Sequence, residues 1–308
     1  MTESVTRRGP RRKRSRRGTS GEVLVAIDRR RRVAAWLQLF PGSAYFALLF
    51  LVPLAGLLAM SFFRLVDFDP VPAFVLSNYA EVLTTSIHAR LGLRTIQVAG
   101  ILTVIVLLVS FPCAYVLNFV FRAKRQLLYF LILVSLFGGY IVRIYAWRSI
   151  LGRQGVINQT LIGMGIIEEP IRYLLNSMFA VGASLVNFLI PLGVLPIYAA
   201  MQNVSPHVIE AARDLGASRI RAARQIVLPL SMRGVRAATA FVFIATLGEW
   251  VTPRLLGGTK DLLIGNRIEF YFGQSLEWPQ GAALAMTLMV AMGVFAYIII
   301  SLMKRLTR

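Results

Sequence analysis

The sequence is poor in the side chains from which metal and redox sites are made. Its 308 residues include one Cys and two His. Cys113 sits in an apolar run and His88 and His207 lie far apart, so no zinc-ligand spacing is present. A lone Cys also excludes an intrachain disulfide scaffold. Lysine is scarce. Lys13, Lys124, Lys260 and Lys304 neither follow Gly nor precede Ser or Thr, so the chain lacks the Gly-rich loop with which an ATPase cradles phosphates. Gly-x-Ser-x-Gly and His-Glu-x-x-His are missing as well, which disfavours a membrane hydrolase. Charged residues make up only 16%, too few for a disordered polar chain.

What is present is apolar surface and positive charge: 56% hydrophobic residues, and 34 Lys+Arg against 14 Asp+Glu for a net charge of +20. The charge is absent from long stretches. None occurs from Val33 to Phe63, Thr95 to Phe121, Gln126 to Val142, Tyr173 to Pro206, or Trp278 to Met303. About 20 apolar residues suffice to span a bilayer, so five transmembrane helices are predicted. A sixth, Ala237 to about Leu256, is weaker, because Glu249, Pro253 and Arg254 interrupt it; alone it reads equally as a re-entrant or buried segment. Six spans put both termini on one side, and the basic residues agree. The tail before Val33, Arg122 to Arg125, His207 to Arg236 and the C-terminus hold 24 Lys+Arg against five acids, and the remainder holds 10 against nine. Basic residues concentrate on the cytoplasmic side, which predicts cytoplasmic N- and C-termini in an inner (plasma) membrane.

Residues 1–32 read as an Arg-rich, disordered cytoplasmic tail preceding a transmembrane domain at 33–308. The clusters at Arg11 to Arg17 and Arg29 to Arg32 admit a nucleic-acid reading, since clustered Arg neutralises phosphates without a fold. No module for base readout is visible, so the favoured reading is a topology signal that also touches anionic lipid. A cleaved signal peptide is disfavoured, because the apolar run starts late and is long.

The longest internal loop, 207–236, contains EAARDLGASRIRAARQIVLPL from Glu210 to Leu230. Ser205 and Pro206 predict a helix start, Gly216 a left-handed stop, and Ser218 a cap for a second helix. Ile220, Ala223 and Val227 recur on one face of that helix, and Pro229 ends it. The small Ala211 and Ala212 would let another protein approach closely. The same pattern also suits an amphipathic helix lying on the inner leaflet.

Glu210-Ala211-Ala212, Gly216, and Ile226-Val227-Leu228-Pro229 resemble the EAA loop of ABC importer permeases. The resemblance implies a coupling helix that docks into a separate ATPase subunit; Ala223 replaces a Phe frequent in the motif. A second region, GEWVTPRLLGG from Gly248 to Gly258 with Ile264-Gly265 and Trp278-Pro279, is similar to the permeases of spermidine/putrescine importers. So is the stretch Tyr140 to Tyr145 through Gly155-Val156-Ile157-Asn158. Arg254 stands where those permeases commonly carry Glu. The implied protein is an all-α, non-catalytic permease of the type I importer fold. Its implied partners are a pair of ATPase subunits that use ATP and Mg, a second homologous permease, and an extracytoplasmic solute-binding protein.

Within the spans, Glu249 is the outlier, since an ionisable group in the membrane marks a pathway or a partner. A carboxylate there, with Trp250 as a cation-π face, suits a polyamine. It suits equally a position near the outer interface, or a pair with Arg143 locking the third and fifth spans. Tyr140 and Asn187 complete the candidate pathway, although Asn187, Gln97 and Asn118 also fit interhelical hydrogen bonds. Pro112, Pro191 and Pro196 are expected to bend their helices. The expected function is permeation of polyamines or a related small organic solute. Alternatives are thiamine, an iron chelate or an opine-like compound, or, from another class, a membrane-embedded enzyme or a membrane-tethered nucleic-acid binder.

Overall fold

The computed structural model describes residues 38–306; the Arg-rich segment 1–32 and Arg308 lie outside the described residues. The chain divides into two units, Met1–Leu57 and Leu58–Arg308. In the first, every described residue belongs to one apolar helix, α1, Gln38–Met60, which buries none of its side chains. Its middle widens into a π turn at Ala47–Leu51, where the Val52 N–H reaches back to the Ala47 carbonyl just before Pro53.

The second unit takes up the last residues of α1 and then forms a hairpin, β1 (Arg64–Val66) and β2 (Asp69–Val71). Val66 faces Asp69 across a two-residue turn whose residues, Asp67 and Phe68, both have positive φ, as the twist of a tight hairpin demands. Helices follow: α2 (Ser77–Thr84), α3 (Ser86–Val120), α4 (Arg125–Phe137), α5 (Tyr140–Leu151), α6 (Val156–Gly163) and α7 (Met178–Met201). They continue as α8 (Pro206–Asp214), α9 (Arg219–Leu230), α10 (Met232–Leu247), α11 (Val251–Leu256), α12 (Ile264–Gly273) and α13 (Trp278–Leu306).

The core is where α3, α7 and α10 pack on one another. On α3 the buried positions Thr95, Ala99, Leu102, Val106, Ser110 and Ala114 recur every three or four residues, a helical stripe. Small residues bring the backbones together, as lipid-embedded helices require. A Cβ on Gly193 would lie 2.5 Å from Ser110 Oγ, and one on Gly234 would lie 2.4 Å from the Pro196 carbonyl oxygen. Pro112, Pro191 and Pro196 stand inside uninterrupted helical runs.

Four helices, α1, α3, α7 and α13, are long and apolar enough to cross a membrane, and up to six if each of two bent pairs counts as one span. The bends correct the expected boundaries. Gln126 to Val142 is not one straight helix: α4 stops at Phe137, and after Gly138-Gly139 the chain turns by 88° into α5 and α6. Thirteen residues reach only about 20 Å at 1.5 Å each, short of the hydrocarbon thickness of about 30 Å. The weaker candidate, Ala237 to about Leu256, also breaks, α10 ending at Leu247 and α11 starting at Val251. At its other end α10 meets α9 at 77°, with Ser231 Oγ donating to the Val227 carbonyl (2.7 Å).

Two ends result. Asn118 Nδ2 donates to the Met201 carbonyl (2.9 Å), joining the ends of α3 and α7 beside loop 207–236. At the opposite end Ser177 N–H reaches the Leu256 carbonyl, Ile264 N–H reaches Thr95 Oγ1 (2.9 Å), and His88 Nε2 lies 3.0 Å from the Tyr271 hydroxyl.

Candidate functional site

The loop 207–236 folds by local chemistry alone. Ser205 takes extended backbone and Pro206 opens α8 without needing its missing N–H. At the other end Gly216 has φ of +85°, its N–H bonds to the Arg213 carbonyl, and the Ala217 N–H closes on the Ala212 carbonyl (3.0 Å). This is a Schellman cap, in which the left-handed residue is favourably Gly. Ser218 Oγ then accepts from the Arg221 N–H (3.3 Å) and starts α9.

The face expected of α9 needs correction. A π turn at Ala223–Val227 inserts an extra residue, with the Leu228 N–H reaching back to the Ala223 carbonyl. Burial therefore falls on Ala222 and Val227, five apart, with Ile226 half-buried, while Ile220 is 80% exposed. The helix stops at Leu230, one residue past Pro229.

Glu210, Ala211 and Arg213 are exposed and Ala212 is half-buried; Glu210 lies 3.4 Å from His207 Nδ1. Leu215, 90% exposed, and Ile220 stand out among charged neighbours. Between α8 and the end of α3, at Tyr115 and Phe119, runs a groove of about 250 Å³.

A second cluster forms where the two bent spans meet. Tyr140, first residue of α5 after the Gly138-Gly139 bend, places its hydroxyl 2.6 Å from both carboxylate oxygens of Glu249, in the break between α10 and α11. Thr252 Oγ1 lies 2.7 Å from the same hydroxyl, so Thr252 can donate to Tyr140 while Tyr140 donates to the carboxylate. Glu249 is half-buried, and no cation pairs with it among the described residues.

The expected alternative pairing with Arg143 does not form. Arg143 donates instead to the Ser135 carbonyl and lies over the Phe188 ring (5.4 Å to its centroid). Phe188 in turn packs on Tyr140 (5.0 Å between centroids). Trp250 is 41% exposed, and its carbonyl accepts from Asn266 Nδ2 (2.7 Å). Gly265 allows α12 to sit against this turn, since a Cβ there would lie 2.8 Å from the Glu249 carbonyl oxygen.

Residues 82–307 match the family described as binding-protein-dependent transport system inner membrane component. The chain belongs to this permease family. The permease is 35% identical over 260 residues to the spermidine/putrescine transport system permease protein PotB of Haemophilus influenzae, covering 84% of this chain and 90% of that protein. It is equally identical over 221 residues to PotB of Escherichia coli, covering 72% and 80%. In fold it resembles a chain of a bacterial ABC transporter involved in the import of the acidic polysaccharide alginate, with a TM-score of 0.71 at 17% identity, over 92% of this chain and 99% of that one. It is therefore a multi-pass inner-membrane ABC importer permease, a non-catalytic subunit.

Of the residues singled out from sequence, the permease brings Tyr140, Glu249 and Trp250 together at one pair of bends. Arg143 is linked to them through Phe188, and Asn187 is exposed on α7 without a hydrogen bond to them. Asn118 makes the interhelical bond expected of it. Thr252 and Phe188 were not anticipated; Thr252 lies three residues from Glu249 in the same motif, which is the only sequence signal for it.

Proposed function

We propose that this permease imports a small cationic organic solute of the polyamine class. Glu249 supplies the counter-charge in the membrane, with Trp250 and Tyr140 lining its approach. The observation that carries this reading is the state of Glu249: a half-buried carboxylate at the junction of two bent spans, held by a neutral hydroxyl and lacking a cation among the described residues. A carboxylate out of bulk water demands a partner, and a solute ammonium supplies one. The printed names of the spermidine/putrescine relatives support the same class.

The termini and loop 207–236 are cytoplasmic in this reading, as the charge distribution favours. Glu210, Ala211, Ala212 and Gly216 form the surface that docks into a separate ATPase, with Ile226, Leu228 and Pro229 holding α9 behind it. The exposed Leu215 and Ile220 are the apolar part of that surface. A pair of ATPase subunits uses ATP and Mg, an extracytoplasmic binding protein delivers solute, and a second homologous permease completes the pore in surrounding lipid. Closure of the ATPases moves α8; the movement reaches α7 and α3 through the Asn118–Met201 bond, and the bends at Gly138-Gly139 and Gly248–Trp250 exchange access.

The test is uptake into proteoliposomes of the assembled importer with its binding protein, comparing labelled putrescine with a neutral solute of similar size. Glu249-dependent putrescine uptake is expected. Transport of the neutral solute alone would refute the reading.

A further inference from the structure

At the end of the permease opposite loop 207–236, α12, the start of α3 and the 259–262 turn enclose a pocket of about 440 Å³. Its floor is apolar, from Ile87, Leu91, Leu262 and Phe270, and three cations line it: Arg254, Lys260 and Arg267. The acids here, Glu269 in the lining and Asp261 beside it, are already engaged. Asp261 pairs with Arg94 (2.7 Å) and accepts from the Gly258 N–H (3.1 Å), and Glu269 pairs with Arg254.

Two charges are left over. Arg267 lies 4.8 and 4.5 Å from the ring centroids of Phe270 and Tyr271, and donates one N–H to the Tyr271 hydroxyl (3.2 Å). Its Nε is buried with no partner. Lys260 sits in a turn fixed by Arg94, which donates to its carbonyl, and its ammonium has no partner among the described residues. A guanidinium stacked on two aromatic faces beside an exposed ammonium is suited to an oxyanion. A cavity of a few hundred Å³ that combines apolar side chains with several charged and polar ones suits a small ligand carrying both an apolar body and a charge.

We propose that this pocket binds an organic anion, an oxyanion carried on an apolar body, with Lys260 and Arg267 holding the charge and Phe270 and Leu262 the body. The ligand is a free small carboxylate or the headgroup end of an anionic lipid, since both present this chemistry. The site is separate from the Glu249 carboxylate and does not depend on the solute assigned above. It backs onto that turn through Asn266, whose Nδ2 bonds the Trp250 carbonyl.

The experiment uses the full-length permease in phosphatidylcholine nanodiscs, titrated with hexanoate and, as the charge-reversed control, hexylamine, by saturation-transfer NMR. A second arm incorporates phosphatidylglycerol and counts retained lipid by native mass spectrometry. Binding of either anion, weakened about tenfold by Lys260→Gln and by Arg267→Gln, is expected, and the arm that responds names the source. Because Arg267 also supports Tyr271, Lys260→Gln is the deciding variant, with an unchanged thermal midpoint as the check on folding. Neither anion binding, hexylamine binding as well as hexanoate, or anion binding unchanged in Lys260→Gln would each overturn the proposal.

Discussion

Gly216 offers a perturbation whose size can be worked from backbone geometry alone. A Cβ added there meets nothing within 4 Å, so a substitution acts only through the φ of +85°. A left-handed backbone costs an ordinary L-residue about 1–2 kcal/mol and Asn less. Pro, locked near −65°, cannot adopt it and would also remove the N–H that bonds the Arg213 carbonyl. At 1.4 kcal/mol per factor of ten, Gly216→Ala should lower the fraction of loops in the docking conformation by about 5- to 30-fold relative to alternative loop states. Gly216→Asn should lower it by less, and Gly216→Pro should eliminate it. The assay is solute-stimulated ATP turnover by the assembled importer in proteoliposomes, with the amount of permease in the membrane quantified for each variant. The expected order is Gly, Asn, Ala, Pro, at equal membrane content. Asn and Ala behaving alike, or Pro retaining turnover, would refute the assignment of this loop as the coupling element.

Three further outcomes follow from packing and polarity. Gly234→Ala places a methyl 2.4 Å from the Pro196 oxygen and 2.5 Å from Ala200 Cβ; overpacking of about 1–3 kcal/mol should lower the thermal midpoint, whereas Gly100→Ala, in open space, should leave it unchanged or raise it. Glu249→Gln should reduce uptake of a dication more than that of a neutral solute, and Tyr140→Phe should reduce both less; equal losses for the two solutes in Glu249→Gln would assign the carboxylate to packing. Asn158→Leu removes the acceptor of the Ile171 N–H (2.8 Å) and the donor to the Gly152 carbonyl (3.0 Å), so unfolding should be easier by about 1–3 kcal/mol with the putrescine-to-neutral uptake ratio unaltered.

What sequence could reveal here depended on the range of the interaction. The caps at Gly216 and Ser218 involve partners within five residues, and a run of sequence contains everything that decides them. The uncharged runs located α1, α7 and α13 because desolvation acts on each residue separately. The start of α3 escaped, since Arg90 and Arg94 end the run while the helix continues through them to Ser86.

Pairings between spans are of another kind. Glu249 suggested a cation, and Arg143 was the available cation on the neighbouring candidate span. The 88° turn at Gly138-Gly139 changes which side chains can meet, folding Arg143 back onto the Ser135 carbonyl and giving Glu249 to Tyr140, three residues earlier. The same limit applies to the +20. Counted along the chain it reports orientation, and Arg254, Lys260 and Arg267 enter it as three equal units. Only the folded chain separates them, because Glu269 answers Arg254 while Asp261, adjacent to Lys260 in sequence, is held by Arg94 from another helix. The unanswered charge in the pocket is thus a product of tertiary pairing, which no count of residues contains.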